Sequence, residues 1–239
     1  MSKLTKRQKE NLHQLVDHLT KFTFRISKWN EEGKLTGRCS GFLYQPSNLQ
    51  IPIVITAGHG MPEKGAFIET RIRKDGKTFM MNAGEFKVWY NHEDIDFAFS
   101  VLPAHLYREE IEKFSGIDLS CYTHDFIKAK KGDEGYGFAV INNYEFIKDG
   151  NGFVLPTYCC HELFLELVEQ DEHINYFKLA REFQGHEYYE GASGSPIADQ
   201  EGAITSILIG GDEKTGLLRA FRLDNIELSL NTCLKAIHL

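Results

Sequence analysis

Gly191-Ala192-Ser193-Gly194-Ser195-Pro196 sets a serine among small residues just ahead of an apolar run, Ile204–Ile209. Glycines beside a hydroxyl permit unusual dihedrals and close approach of another backbone. They also leave backbone N–H groups open to a developing oxyanion. A serine that acts as an acyl-transfer nucleophile needs an imidazole to take its proton. The imidazole in turn needs a carboxylate to fix its tautomer and stabilise the imidazolium. Two segments offer these groups. Ile53-Val54-Ile55-Thr56-Ala57-Gly58-His59 reads as a buried strand ending in a histidine. Asp94-Ile95-Asp96-Phe97-Ala98-Phe99 reads as an acid entering a second buried strand.

The order of the three groups separates the serine-hydrolase folds. The α/β-hydrolase order is serine, acid, histidine, yet the only histidine after Ser193 is His238, one residue from the end. The subtilisin order begins with an aspartate, and Asp17, on the polar side of a short helix, is the only one before His59. His59, Asp96, Ser193 is the chymotrypsin order. The gaps of 37 and 97 residues leave room to finish one barrel and build most of a second.

Together these segments resemble those of trypsin-like serine proteases, which hold the chymotrypsin fold. Ser40-Gly41-Phe42-Leu43 resembles the family's Ser-Gly-Phe strand entry, and Thr56-Ala57-Gly58-His59 its histidine motif. Asp96-Phe97-Ala98 resembles the acid motif, and residues 191–196 the serine motif, the most specific of the set. The resemblance spans about residues 22–224. It implies a serine endopeptidase that works through an acyl-enzyme, with Ser193 as nucleophile and His59 as general base and acid. Asp96 would orient His59, and the N–H groups of Gly191 and Ser193 would form the oxyanion hole. Asp94 competes for the acid role; Asp96 is preferred because an apolar and then a small residue follow it. The competing function is a protease-like scaffold that binds a peptide or partner without cutting it.

Around the motifs the chain reads as mostly β. Short runs rich in Ile, Val, Phe and Thr occur at Ile51–Ala57, Phe97–Leu102, Phe138–Ile141 and Ile204–Ile209. Asp75-Gly76, Asp149-Gly150 and Asn151-Gly152 are tight-turn signals. Leu12, Leu15, Val16, Leu19 and Phe22 recur at helical spacing, with Thr5 and Gln8 as a capping box, and this helix is expected to pack on the barrels. A shorter helix is expected over Ala104–Phe114. A C-terminal one is expected from the Asp224/Glu227 cap and the stripe Ile226, Leu230, Leu234 and Ile237. The expected architecture is two packed six-stranded antiparallel β-barrels of the chymotrypsin type with a helix at each end. Residues 1–22 form the first helix, 23–115 the barrel carrying His59 and Asp96, 116–224 the barrel carrying Ser193, and 225–239 the last helix.

Composition narrows the partners. Net charge is −7, and the basic start, Lys3, Lys6, Arg7 and Lys9, is short enough to be the wet face of a helix. Phosphate binding rewards clustered Lys and Arg, so nucleic acid is not expected as a partner. No stretch approaches the ~20 apolar residues of a membrane span, and the start lacks the apolar core of a secretory signal. Cys39, Cys121, Cys159, Cys160 and Cys233 are odd in number, and Cys159 and Cys160 are neighbours, which rarely bridge. Free thiols and a cytoplasmic location are expected. Cys159-Cys160-His161-Glu162 and Cys121 with His124 do not offer two ligand pairs at zinc-site spacing, so neither metal nor cofactor is expected.

Two departures from the family pattern stand out. Digestive members carry, just before the nucleophile, an aspartate that pairs with a freshly cut N-terminus; here the residue is Ala192. Activity is therefore expected to be constitutive or set by a regulatory protein partner. By family offset the base of the specificity pocket falls near Glu187, with Glu190 close by, which would favour Lys or Arg before the scissile bond. Ile209 and Gly210 are expected on the strand that pairs with the substrate backbone.

Overall fold

The computed structural model describes residues 4–46, 52–59, 61, 65–71, 78–83, 86–90, 95–101, 121–146, 154–224, 226 and 230. The capping box opens helix α1 (Lys6–Leu19) as expected. The Gln8 N–H donates to Thr5 Oγ1 at 3.3 Å and the Thr5 N–H to Gln8 Oε1 at 2.8 Å.

Seven strands form one antiparallel sheet: β1 (Thr23–Trp29), β2 (Leu35–Tyr44), β3 (Ile53–Thr56), β4 (Ala66–Arg71), β5 (Thr78–Asn82), β6 (Phe86–Tyr90) and β7 (Asp96–Val101). Their order is β5-β4-β1-β2-β3-β7-β6. Six more close a barrel: β8 (Tyr136–Phe146), β9 (Val154–Gln170), β10 (Ile174–Lys178), β11 (Pro196–Asp199), β12 (Ile204–Asp212) and β13 (Leu217–Arg222). They run in the order β10-β13-β12-β11-β8-β9.

The barrel matches the second one expected. The first unit departs from expectation: among the described residues it has seven strands rather than six, and its ladder is open. The reason lies at one corner. β5 and β6 are the two ends of the sheet, yet only residues 83–85 separate Asn82 from Phe86. At about 3.6 Å per residue the sheet must curl to bring its edges that close. Ala83, which follows β5, links the strands next to the two edges. Its N–H donates to Ala66 O at the start of β4, and its carbonyl accepts the Ser100 hydroxyl of β7. Among the described residues this bridge stands in place of a closing ladder between β5 and β6. The helix expected over Ala104–Phe114 and the three Gly turns lie outside the described residues. So does the C-terminal helix over 225–239, apart from Ile226 and Leu230.

One apolar core joins the two units. Phe42, Ile55 and Phe97 enter from the first sheet, and Ile174, Ile207 and Phe221 from the barrel. Leu12, Leu15 and Leu19 of α1 are buried in the same core. The helix is therefore packed, as its apolar stripe indicates. Leu15→Ala would leave a hole in this core and is expected to cost about 2–5 kcal/mol in urea unfolding. No helix among the described residues is long and apolar enough to cross a membrane.

Candidate active site

Strand pairing brings His59 to Asp96. β3 and β7 are antiparallel, with Ile55 opposite Phe99 and Thr56 opposite Ala98. Continued past Thr56, the same register sets the chain entering His59 beside the first residue of β7, which is Asp96. The carboxylate makes two bonds to the one residue: Oδ2 lies 2.6 Å from His59 Nδ1, and Oδ1 accepts the His59 backbone N–H at 2.7 Å. Asp96 is 7% exposed, whereas the His59 side chain is 37% exposed. A proton on Nδ1 directed at the carboxylate leaves the Nε2 lone pair available as a base. Asp94, the rival acid, lies outside the described residues.

The serine loop is fixed from below. Ser40, in the middle of β2, donates its N–H to Ser193 O at 2.8 Å and its hydroxyl to Gly191 O at 2.7 Å. Its own carbonyl accepts Thr56 Oγ1 at 2.6 Å, three residues before His59. Gly191 and Gly194 take φ of 79° and 89°, the left-handed region that glycine tolerates. A Cβ at Gly194 would collide with Ser40 O and Thr56 Oγ1, so the loop rests directly on the strands that lead to His59. Within the loop, Ala192 N–H donates to Tyr189 O, Gly194 N–H to Leu208 O and Ser195 N–H to Ala192 O. Among the described residues the N–H groups of Gly191 and Ser193 have no partner, and no hydrogen bond joins Ser193 Oγ to His59.

No protein-family model and no curated protein matches the sequence. Solved structures do resemble it. The scabies mite inactivated protease paralogue superposes with a TM-score of 0.58 at 12% identity, covering 91% of this chain and 96% of that one. HBP gives 0.57 at 11%, covering 89% and 91%. A mutant of the tobacco etch virus protease gives 0.52 at 11%, covering 89% and 78%. The chain has the chymotrypsin fold. At these identities the likeness speaks for the fold, so what the site can do rests on its own residues.

Ile209 is skipped in the β12–β13 register, between Leu208 opposite Ala220 and Gly210 opposite Arg219, so both expected edge residues lie at a bulge. Glu187 is exposed within successive turns that run from Gly185 to Glu190. The buried acid of this region is a different one, Glu162 on β9, 3% exposed. It accepts three bonds from two nitrogens of Arg181 and one, at 2.8 Å, from Tyr189 OH. Burial and the bond to this carboxylate push the Tyr189 hydroxyl well above the usual tyrosine range. Glu162 thereby ties down the loop that runs into Gly191, where no disulfide does so among the described residues. Sequence reasoning missed it: Glu162 shares the buried face of β9 with Cys160, Leu165 and Leu167 across the irregularity at Phe164, and a charged residue there gives no apolar signal.

Proposed function

We propose that this chain is a serine endopeptidase that hydrolyses peptide bonds through an acyl-enzyme, with Ser193 as nucleophile, His59 as base and Asp96 as its orienting acid. The two-point grip of Asp96 on His59 carries the reading, because it fixes the imidazole's tautomer and direction together. Attack by Ser193 Oγ on a peptide carbonyl passes its proton to His59 Nε2. The oxyanion falls between the N–H groups of Gly191 and Ser193, and His59 then returns the proton to the leaving amine. Water repeats the sequence to free the enzyme. No metal or cofactor enters this scheme.

Three finer statements belong to the same proposal. The substrate is a protein segment laid along Ile209 and Gly210, with the side chain before the scissile bond directed toward the loop of Glu187. Cys39, Cys121 and Cys160 form no disulfide among the described residues, which suits a reducing cytoplasm. Ala192 is buried and carries no charge for a new N-terminus, so activity is constitutive or set by a partner protein rather than by trimming.

A second reading has one observation in its favour: Ser193 makes no hydrogen bond to His59 among the described residues. It makes the chain a binding scaffold. Incubation with a complex peptide library, with new N-termini identified by mass spectrometry, separates the two. Cleavage that disappears in Ser193→Ala supports the endopeptidase; peptides retained without cleavage by either form support the scaffold.

A further inference from the structure

We propose that Ser40 is the positioning residue of the oxyanion hole, an inference that rests on Ser193 being the nucleophile. Ser40 is 1% exposed and belongs to the opposite β unit from the loop it holds. It grips the carbonyls of the two residues whose N–H groups would receive the oxyanion: Gly191 through its hydroxyl and Ser193 through its own N–H. The other amides between 191 and 195 are spent on Tyr189, Leu208 and Ala192. Among the described residues, what remains to donate is the pair on Gly191 and Ser193.

The hydroxyl matters most at Gly191. A Cβ built there would meet nothing within 4 Å, so packing does not restrain this glycine. A glycine in open space turns its peptide groups readily. The peptide after Gly191 is held at both ends, its carbonyl by Ser40 Oγ and its N–H, on Ala192, by Tyr189 O, and the Ser40 bond is the one that ties ψ at Gly191 to the opposite β unit. The Ser40 carbonyl meanwhile binds Thr56, close before His59, so one residue indexes the oxyanion donors to the strand carrying the base. Loss of an oxyanion donor outright costs about 10²–10³ in rate; loosening one should cost less.

The test is the kinetics of a fluorophosphonate, whose phosphonyl oxygen occupies the same hole, on the full chain and on Ser40→Ala. In Ser40→Ala the maximal inactivation rate should fall about 10- to 100-fold with the half-saturating probe concentration unchanged, the two proteins being compared at a temperature where circular dichroism shows both folded. An unchanged inactivation rate, or a loss confined to half-saturation, overturns the role of Ser40. Wild type that never reacts at Ser193 overturns the nucleophile reading itself, and the role of Ser40 with it.

Discussion

Asp96→Asn is expected to lower kcat roughly 10⁴-fold while the protein stays folded, the effect of the same exchange in a protease of this fold. The cause is the tautomer. An amide at this position can still accept the His59 backbone N–H through its oxygen. Its NH₂ group then faces Nδ1, which must become an acceptor, and the ring proton moves to Nε2. That nitrogen can no longer take the proton from Ser193. The carboxylate's second bond, at 2.7 Å to the His59 N–H, keeps the loop in place in either form, so the melting temperature should move little. Steady-state kinetics on any cleaved peptide checks the effect. A loss of less than tenfold would remove Asp96 from the mechanism.

Gly194→Ala is expected to abolish reaction at Ser193 and to destabilise the fold by about 3 kcal/mol or more. Two costs combine. A side chain at φ 89° carries about 1–2 kcal/mol of backbone strain. The added methyl also drives into Ser40 O and Thr56 Oγ1, and overpacking of this kind costs about 1–3 kcal/mol. The direction of the push matters as much as its size, because it lifts the serine loop off the strands that lead to His59. Gly191→Ala is the control: its φ of 79° carries similar backbone strain, but there is open space around it. Urea unfolding should therefore show the smaller cost at Gly191. Equal costs at the two positions would mean that the contact with Ser40 and Thr56 does not hold the loop.

Two strands of the second barrel could be read directly, because Ile204–Ile209 and Phe138–Ile141 are clean apolar runs. Asp96 is preferred over Asp94 in the sequence for the residues that follow it, and the β3–β7 register sets Asp96 beside the chain entering His59, while Asp94 lies outside the described residues. The extra strands of the first unit were hidden. Ala66–Arg71, Thr78–Asn82 and Phe86–Tyr90 are short apolar stretches of three residues or fewer broken or flanked by polar or charged ones, so neither their number nor the bridging role of Ala83 has a local signature. β9 spans Val154–Gln170 through Pro156 and two cysteines, with register shifts against β8, and it reads more easily as a loop. The hold of Ser40 on Gly191 joins residues 151 positions apart, and Glu162 meets Arg181 and Tyr189 only after the barrel closes. Contacts of that range are set by tertiary packing, so a pattern confined to a few neighbouring residues does not carry them.

The most direct test of Ser193 as nucleophile is peptide mapping of the full-length protein after fluorophosphonate treatment, with Ser193→Ala alongside. A single phosphonyl adduct on Ser193, absent from the variant, is the result expected. No adduct on the wild type, or an adduct elsewhere that persists in Ser193→Ala, would contradict it.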